Sequence, residues 1–273
     1  MLIIGEKING TRKMVGKAVL ERDVAFIQKL ALDQVAAGAE YLDVNAGTTP
    51  DREPGDLVWL VQTVQAVTET PLCLDSPNPK ALALAVKEVA RTPIINSING
   101  EKARLEGVLP LVAEHRTKVI ALCIDDNGIP KDVAGRMNVL HRLMVATRAA
   151  GIKDSDVFVD PLAVAVATDN QGAVIACETM RQVLVAYPEV HLTCGLSNIS
   201  FGMPSRQMVN RAFMSLALQA GLDSAIMDPR DRGLIESLFA TDVLLGRDRN
   251  CGRFNRALRA GRIGEVPVPV AAK

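Results

Sequence analysis

The 273 residues are close to the size of one α/β barrel, and 48% of them are hydrophobic, enough to fill one large core. The 31 basic and 31 acidic residues cancel, which excludes electrostatic wrapping of nucleic acid and favours a small-molecule substrate. Aromatics are only 3%, and an interior of Ala, Val, Leu and Ile suits parallel strands buried on both faces.

The chain opens MLIIGEKING, which meets Gly, Glu and Lys before any apolar stretch of signal-peptide length. The longest apolar runs, such as residues 162–167, are far too short to cross a bilayer, so no membrane association is expected. The cysteines, Cys73, Cys123, Cys177, Cys194 and Cys251, are odd in number and form no CxxC pair. They read as buried free thiols in a reducing compartment, and the expected location is the cytoplasm.

In chain order, short apolar runs alternate with longer helical stretches. The runs that predict strands are 2–4, 41–44, 72–74, 94–95, 119–124, 157–159, 192–196 and 224–227. The spacing predicts helices over 23–37, 57–68, 80–89, 101–114, 133–149, 171–186, 205–220 and 230–245. Val24, Ile27 and Leu30 share one face of the first of these, Pro79 precedes the third, and Glu101 suits the start of the fourth. Gly38, Gly151 and Gly221 read as helix stops. Alternating β and α units imply parallel strands joined by crossovers, and eight of them in this length favour a closed (β/α)₈ TIM barrel in a single domain. A Rossmann-like open sheet is the alternative; neither GxGxxG after the first strand nor a P-loop is present. The barrel is expected to occupy residues 1–247. Residues 248–273 form a tail in which Arg249, Arg253, Arg256, Arg259 and Arg262 recur, with a short helix over 253–260 and disordered last residues expected.

In such a barrel, chemistry sits at the C-terminal ends of the strands. Those ends carry Glu6 and Asn9, Asp43 and Asn45, Asp75, Asn96, Asp125 and Asp126, Asp160, Asn198, and Asp228. Any one of them could be a helix cap or turn residue; a full ring of them at one rim points to a site. Asp and Asn hydrogen-bond in fixed planes and match a flat heterocycle with neighbouring N–H and NH₂ groups, such as the edge of a pterin. His115 and His141 fall in helices and His191 begins a strand at the other rim, so neither a histidine metal site nor a Ser–His pair is expected. A rim with so little acid–base power suits chemistry driven by a cofactor.

The motifs IIGEKING, EYLDVNAG, LCLDS, IINSING, VFVDPL, GLSNISFGMPSR and GLDSAIMDP resemble the pterin-binding methyltransferases. That family includes methyltetrahydrofolate–corrinoid/iron–sulfur protein methyltransferase and the folate module of cobalamin-dependent methionine synthase. The resemblance runs from Leu2 to about Leu245. It implies a TIM barrel, a homodimer, and tetrahydrofolate or 5-methyltetrahydrofolate bound as substrate at the C-terminal rim. By matching motif, Asp75, Asn96 and Asp160 would bind the pterin edge and Asn198 would lie near N5, as the catalytic residue. Asn9 and Asp43 would support them, Gly195 and Ser197 would flank the site, and Arg206 would lie just beyond. The methyl group would pass between N5 and the cobalt of cobalamin. The chain lacks the DxHxxG pattern of cobalamin-carrying modules, so a separate corrinoid protein would supply the corrinoid.

Other readings remain. Dihydropteroate synthase is a related pterin barrel, but INGTRK stands where its Asn–x–Thr–Pro–Asp–Ser type of signature would be, and IMDPRD replaces its Arg–x–His pattern. A non-catalytic barrel that binds folate or a partner without turnover is a further reading, and the intact Asp and Asn set at the rim argues against such decay of the site. A Schiff-base aldolase lacks its lysine, although Lys7 lies near the first strand end.

Overall fold

A computed structural model gives the fold and describes residues 1–264. Eight parallel strands run β1 (Leu2–Asn9), β2 (Tyr41–Asn45), β3 (Leu72–Asp75), β4 (Ile94–Asn99), β5 (Lys118–Leu122), β6 (Val157–Asp160), β7 (His191–Leu192) and β8 (Ser224–Met227). Consecutive strands pair from β1 to β7, and β1 also pairs with β8. Between β7 and β8 no ladder forms among the described residues, and the gap is bridged where Ile226 N–H donates to Cys194 O at 3.0 Å and Ser224 Oγ donates to Leu192 O at 2.9 Å. The result is a nearly closed (β/α)₈ barrel, as the alternation predicts.

Around it lie α1 (Lys13–Glu21), α2 (Val24–Ala36), α3 (Glu53–Gln65), α4 (Pro79–Ala85), α5 (Lys102–His115), α6 (Val133–Ala149), α7 (Gly172–Ala186), α8 (Arg206–Gln219), α9 (Arg232–Leu244) and α10 (Gly252–Arg259). Local chemistry sets their ends. Asp23, Asn78, Asp132 and Asp231 accept N–H groups of their first turns, and Gly38, Gly151 and Gly221 follow α2, α6 and α8 with positive φ. The predicted helix over 133–149 coincides with α6, and the other expected helices shift at their ends. Three differences matter. Helix α1 has no counterpart in the sequence reading. Strand β1 runs five residues further than expected, through an irregularity between Gly5 and Ile8. The expected strand over 192–196 is cut short, because the chain turns into a 3-10 helix, Leu196–Ser200.

Alternation along β5 shows how the core divides. Val119 and Ala121 join the large cluster between strands and helices, whereas Ile120 joins an inner cluster with Ile4, Tyr41, Cys73, Ile94 and Phe158. That inner plug fills the barrel and leaves its C-terminal mouth open. Beyond Arg247, Asp248 accepts the Arg253 and Phe254 N–H groups, Arg253 pairs with the buried Asp242, and Ala257 and Ile263 enter the outer core. The basic segment 248–264 thus packs on the barrel; the residues expected to be disordered lie outside the described ones from 265 on. No described helix is long and apolar enough to cross a membrane.

Candidate active site

The C-terminal mouth holds a cavity of about 570 Å³. Asn9, Asp43, Asp75, Asn96, Asp160, Gly195, Ser197, Asn198 and Arg206 all line it. Strands β1, β2, β3, β4 and β6 each deliver one of its Asp or Asn side chains, and the turn after β7 delivers Asn198. Leu122, Leu162 and Ile226 add apolar surface, so the cavity offers polar edges beside faces that suit a flat ring. Other rim residues serve elsewhere. Asp228 pairs with Lys7 at 2.5 Å, Asp125 pairs with Arg142, and Asn45 Nδ2 donates to Asp75 Oδ2 at 2.9 Å.

The carboxylates are the notable electrostatic feature. Asp43 and Asp160 are buried, and among the described residues neither they nor Asp75 has a cation within ion-pair distance. Burial, reinforced by the charges of Asp75 and Glu6, pushes the Asp43 carboxyl well above its ordinary range; Asn96 Nδ2, 3.4 Å from its Oδ1, opposes this weakly. Burial also raises Asp75, against the Asn45 hydrogen bond and the charge of Arg104. Asp160 is pushed up to about 6 by burial, held back by N–H groups of Leu162 and Gly195 and by the charge of Arg136. Buried carboxylates without a cation partner in a pocket call for a ligand rich in N–H donors.

Three arginines set the loops that carry these groups. Arg104 of α5 donates to Ser76 O, Pro77 O and Ser97 O at 2.8, 2.8 and 2.7 Å, tying the segment after Asp75 to the one after Asn96. Arg136 of α6 donates to the carbonyls just after Asp160. Arg206 donates to Ser197 O at 2.7 Å and Ser200 Oγ at 3.0 Å and lies over the Phe201 ring, so it braces the turn bearing Asn198. Asn198 itself is exposed at the mouth, and its side chain makes no hydrogen bond among the described residues. Gly195 lies beneath it, and a Cβ there would come within 2.8 Å of Asn198 Nδ2 and push that side chain aside.

Sequence reasoning gave no role to Arg12, Phe201 or Leu162, which also line the mouth. Glu6, noted as a strand end, is held by Arg12 at 2.7 Å and approached by Ser197 Oγ at 3.4 Å. A positive side chain three residues after Asn9 was the available signal for Arg12.

Comparison with known proteins follows the same lines. The family described as pterin binding enzyme matches residues 5–228. Methylcorrinoid:tetrahydrofolate methyltransferase of Eubacterium limosum is 39% identical over 268 residues, covering 97% of this chain and 99% of that protein. Methionine synthase of Mycobacterium leprae is 32% identical over 240 residues, which are 83% of this chain but 20% of that protein. Among solved structures, dihydropteroate synthase from Stenotrophomonas maltophilia superposes with a TM-score of 0.67 at 18% identity, covering 89% and 92% of the two chains. The Coxiella burnetii dihydropteroate synthase in complex with pteroic acid gives 0.68 at 15% identity, covering 89% and 93%. At such identities the structural likeness establishes the fold alone.

Proposed function

The chain belongs to the pterin-binding enzyme family, and from that premise we propose that it is a methyltransferase moving a methyl group between N5 of tetrahydrofolate and the cobalt of a corrinoid carried by a partner protein. The observation that carries this reading is the ring of carboxylates and amides, Asp43, Asp75, Asn96 and Asp160, without a paired cation among the described residues and sunk in a mouth whose upper edge presents Asn198. In this reading, Asp75, Asn96 and Asp160 take the N–H-rich pterin edge, with Asn9 and Asp43 behind them. Gly195, Ser197 and Arg206 shape the approach to N5.

The chemistry demands little acid–base power. With methylcorrinoid as donor, the N5 lone pair attacks the methyl carbon, the N–C bond forms, both electrons of the Co–C bond stay on cobalt, and N5 sheds its proton to solvent water at the open mouth. In the opposite direction N5 needs a donor as the methyl group leaves. The neutral amide of Asn198 carries both an acceptor and a donor, so it can accept the N5–H in one direction and donate to N5 in the other. The deep walls orient the substrate and exclude water, while the open mouth admits the corrinoid. We assign residues 1–247 to this pterin-binding barrel and 248–273 to an appended tail. We further propose a homodimer working in cytoplasmic one-carbon metabolism; the four buried free thiols, Cys73, Cys123, Cys177 and Cys194, are in keeping with a reducing compartment. Sedimentation of the purified chain tests the dimer.

The deciding experiment mixes the protein anaerobically with methylcobalamin and tetrahydrofolate, and separately with cob(I)alamin and methyltetrahydrofolate. The expected result is interconversion of the two cobalamin spectra. Folate binding by calorimetry without transfer to or from free or protein-bound corrinoid would favour a binding subunit, and no folate binding would overturn the reading.

A further inference from the structure

Arg136 is the largest fully buried side chain among the described residues, and the proposed reaction does not use it. A buried guanidinium ordinarily finds a carboxylate; among the described residues Arg136 has none within ion-pair distance. Instead its Nη1 donates to Pro161 O at 2.8 Å and Leu162 O at 2.9 Å, and its Nε donates to Pro130 O at 3.2 Å. The first two carbonyls directly follow Asp160 in sequence. The second belongs to Leu162, which is held at φ +67°, a left-handed conformation unfavourable for leucine. That conformation places the Leu162 N–H on Asp160 Oδ1 at 2.7 Å and the Leu162 side chain on the cavity wall. One side chain thus fixes the turn that orients the β6 carboxylate.

We propose that Arg136 is a positioning residue for folate binding, clamping the Pro161–Leu162 turn and holding a fixed positive charge behind Asp160. The inference rests on the reading of Asp160 as a pterin ligand. Asp160 is faced by the charge of Arg136 from α6 and by the thiols of Cys123, after β5, and Cys194, after β7. Arg136 is faced in turn by Asp160, Cys123, Asp132 and Asp169. The thiols are pushed upward by burial and stay neutral near pH 7, so Arg136 is the group that counteracts burial at Asp160 by charge. Its removal would let the carboxyl titrate higher and leave it partly protonated where the enzyme works.

The test is the pH dependence of tetrahydrofolate affinity, by calorimetry, for the wild type, D160N, R136K and R136M. The wild type should lose affinity as pH falls through about 6, and D160N should lack the Asp160 part of that limb, keeping only what the raised carboxyls of Asp43 and Asp75 contribute. In R136M the limb should move to higher pH. In R136K it should stay near its wild-type position, while affinity falls roughly tenfold at every pH, because a single ammonium cannot reproduce the planar fork. Should R136M fail to fold, the uniform loss in R136K decides alone, and wild-type affinity in R136K overturns the clamp. A folded R136M with an unshifted limb overturns the charge role. A wild type that does not bind tetrahydrofolate, or a D160N that binds it as tightly as the wild type at pH 7, overturns the pterin reading instead.

Discussion

At the N-terminal end of the barrel, His191 Nδ1 lies 2.6 Å from Asp223 Oδ2, its ring stacks on Phe158 at 4.7 Å, and Lys118 Nζ sits 3.4 Å from Tyr41 Oη. Asp223 also accepts the Leu192 N–H at 2.8 Å. At the C-terminal end, Asp43, Asp75 and Asp160 sit deeper, yet no described cation pairs with any of them. Both ends close the same strands, so the difference is not imposed by the fold. Buried carboxylates without a neutralising cation destabilise the folded chain, and they persist where a ligand supplies further donors. The lower rim therefore reads as architecture and the upper rim as a site whose cost is offset only when substrate binds.

Asn198→Ala should produce the largest effect on this contrast. The side chain is exposed and makes no hydrogen bond among the described residues, so folding should be nearly indifferent to its loss. We expect kcat to fall on the order of 10²-fold, the size associated with removing one positioned donor, while tetrahydrofolate affinity stays close to wild type. Steady-state turnover with either cobalamin partner measures this, and unchanged turnover would take Asn198 out of the chemistry.

Asp160→Asn should act in opposite directions on binding and on stability. Calorimetry should show tetrahydrofolate affinity weakened by roughly 1.5–3 kcal/mol, as for a lost charged hydrogen bond. Without ligand, the folded protein should gain stability. The Asp160 carboxyl titrates at about 6 when folded and near 4 when unfolded, so the native state binds the extra proton between those values. Stability from this group is fully present below about 4 and is lost as pH rises through about 6. At pH 7 the substitution should recover about 2–3 kcal/mol, and the difference between variant and wild type should shrink as pH falls towards 4. Denaturant titrations across that range check the sign; a variant less stable than wild type at pH 7 would mean that Asp160 is already well paired.

Much of this was legible because barrel strands announce themselves as short apolar runs, and because a ring of polar residues at successive strand ends has few structural reasons to exist. Asn9, Asp43, Asp75, Asn96, Asp160 and Asn198 were all found that way and all meet in one cavity. Helix α1 was hidden by its glycine. Gly16 weakens helical propensity, but a Cβ there would lie 2.5 Å from Gly10 O, so packing against β1 demands it. The buried Val15, Ala18 and Val19, spaced three and four apart, were the signal to follow. Strand β1 outran its apolar run because the chain is irregular between Gly5 and Ile8 and only then resumes pairing with Val44. Arg104 and Arg136 could not be read at all. They act on main-chain carbonyls brought near by the fold, and a carbonyl leaves no trace in residue type.

The smallest expected effect comes from the lower rim, and it bears most directly on the contrast. His191→Ala removes the contact with Asp223 and the stack on Phe158 while sparing the β7 backbone bonds. Both partners of the pair are a little under half exposed, so solvent screens it and most of the loss is the aromatic contact. We expect about 1 kcal/mol of lost stability, read as a lower denaturant midpoint at unchanged slope. Tetrahydrofolate affinity and turnover should stay at wild-type values, because the inner plug of Ile4, Cys73, Ile94, Ile120 and Phe158 separates this end from the cavity. A loss of affinity larger than the loss of stability would mean that the plug transmits strain along the barrel, and the lower rim could then no longer be treated as architecture alone.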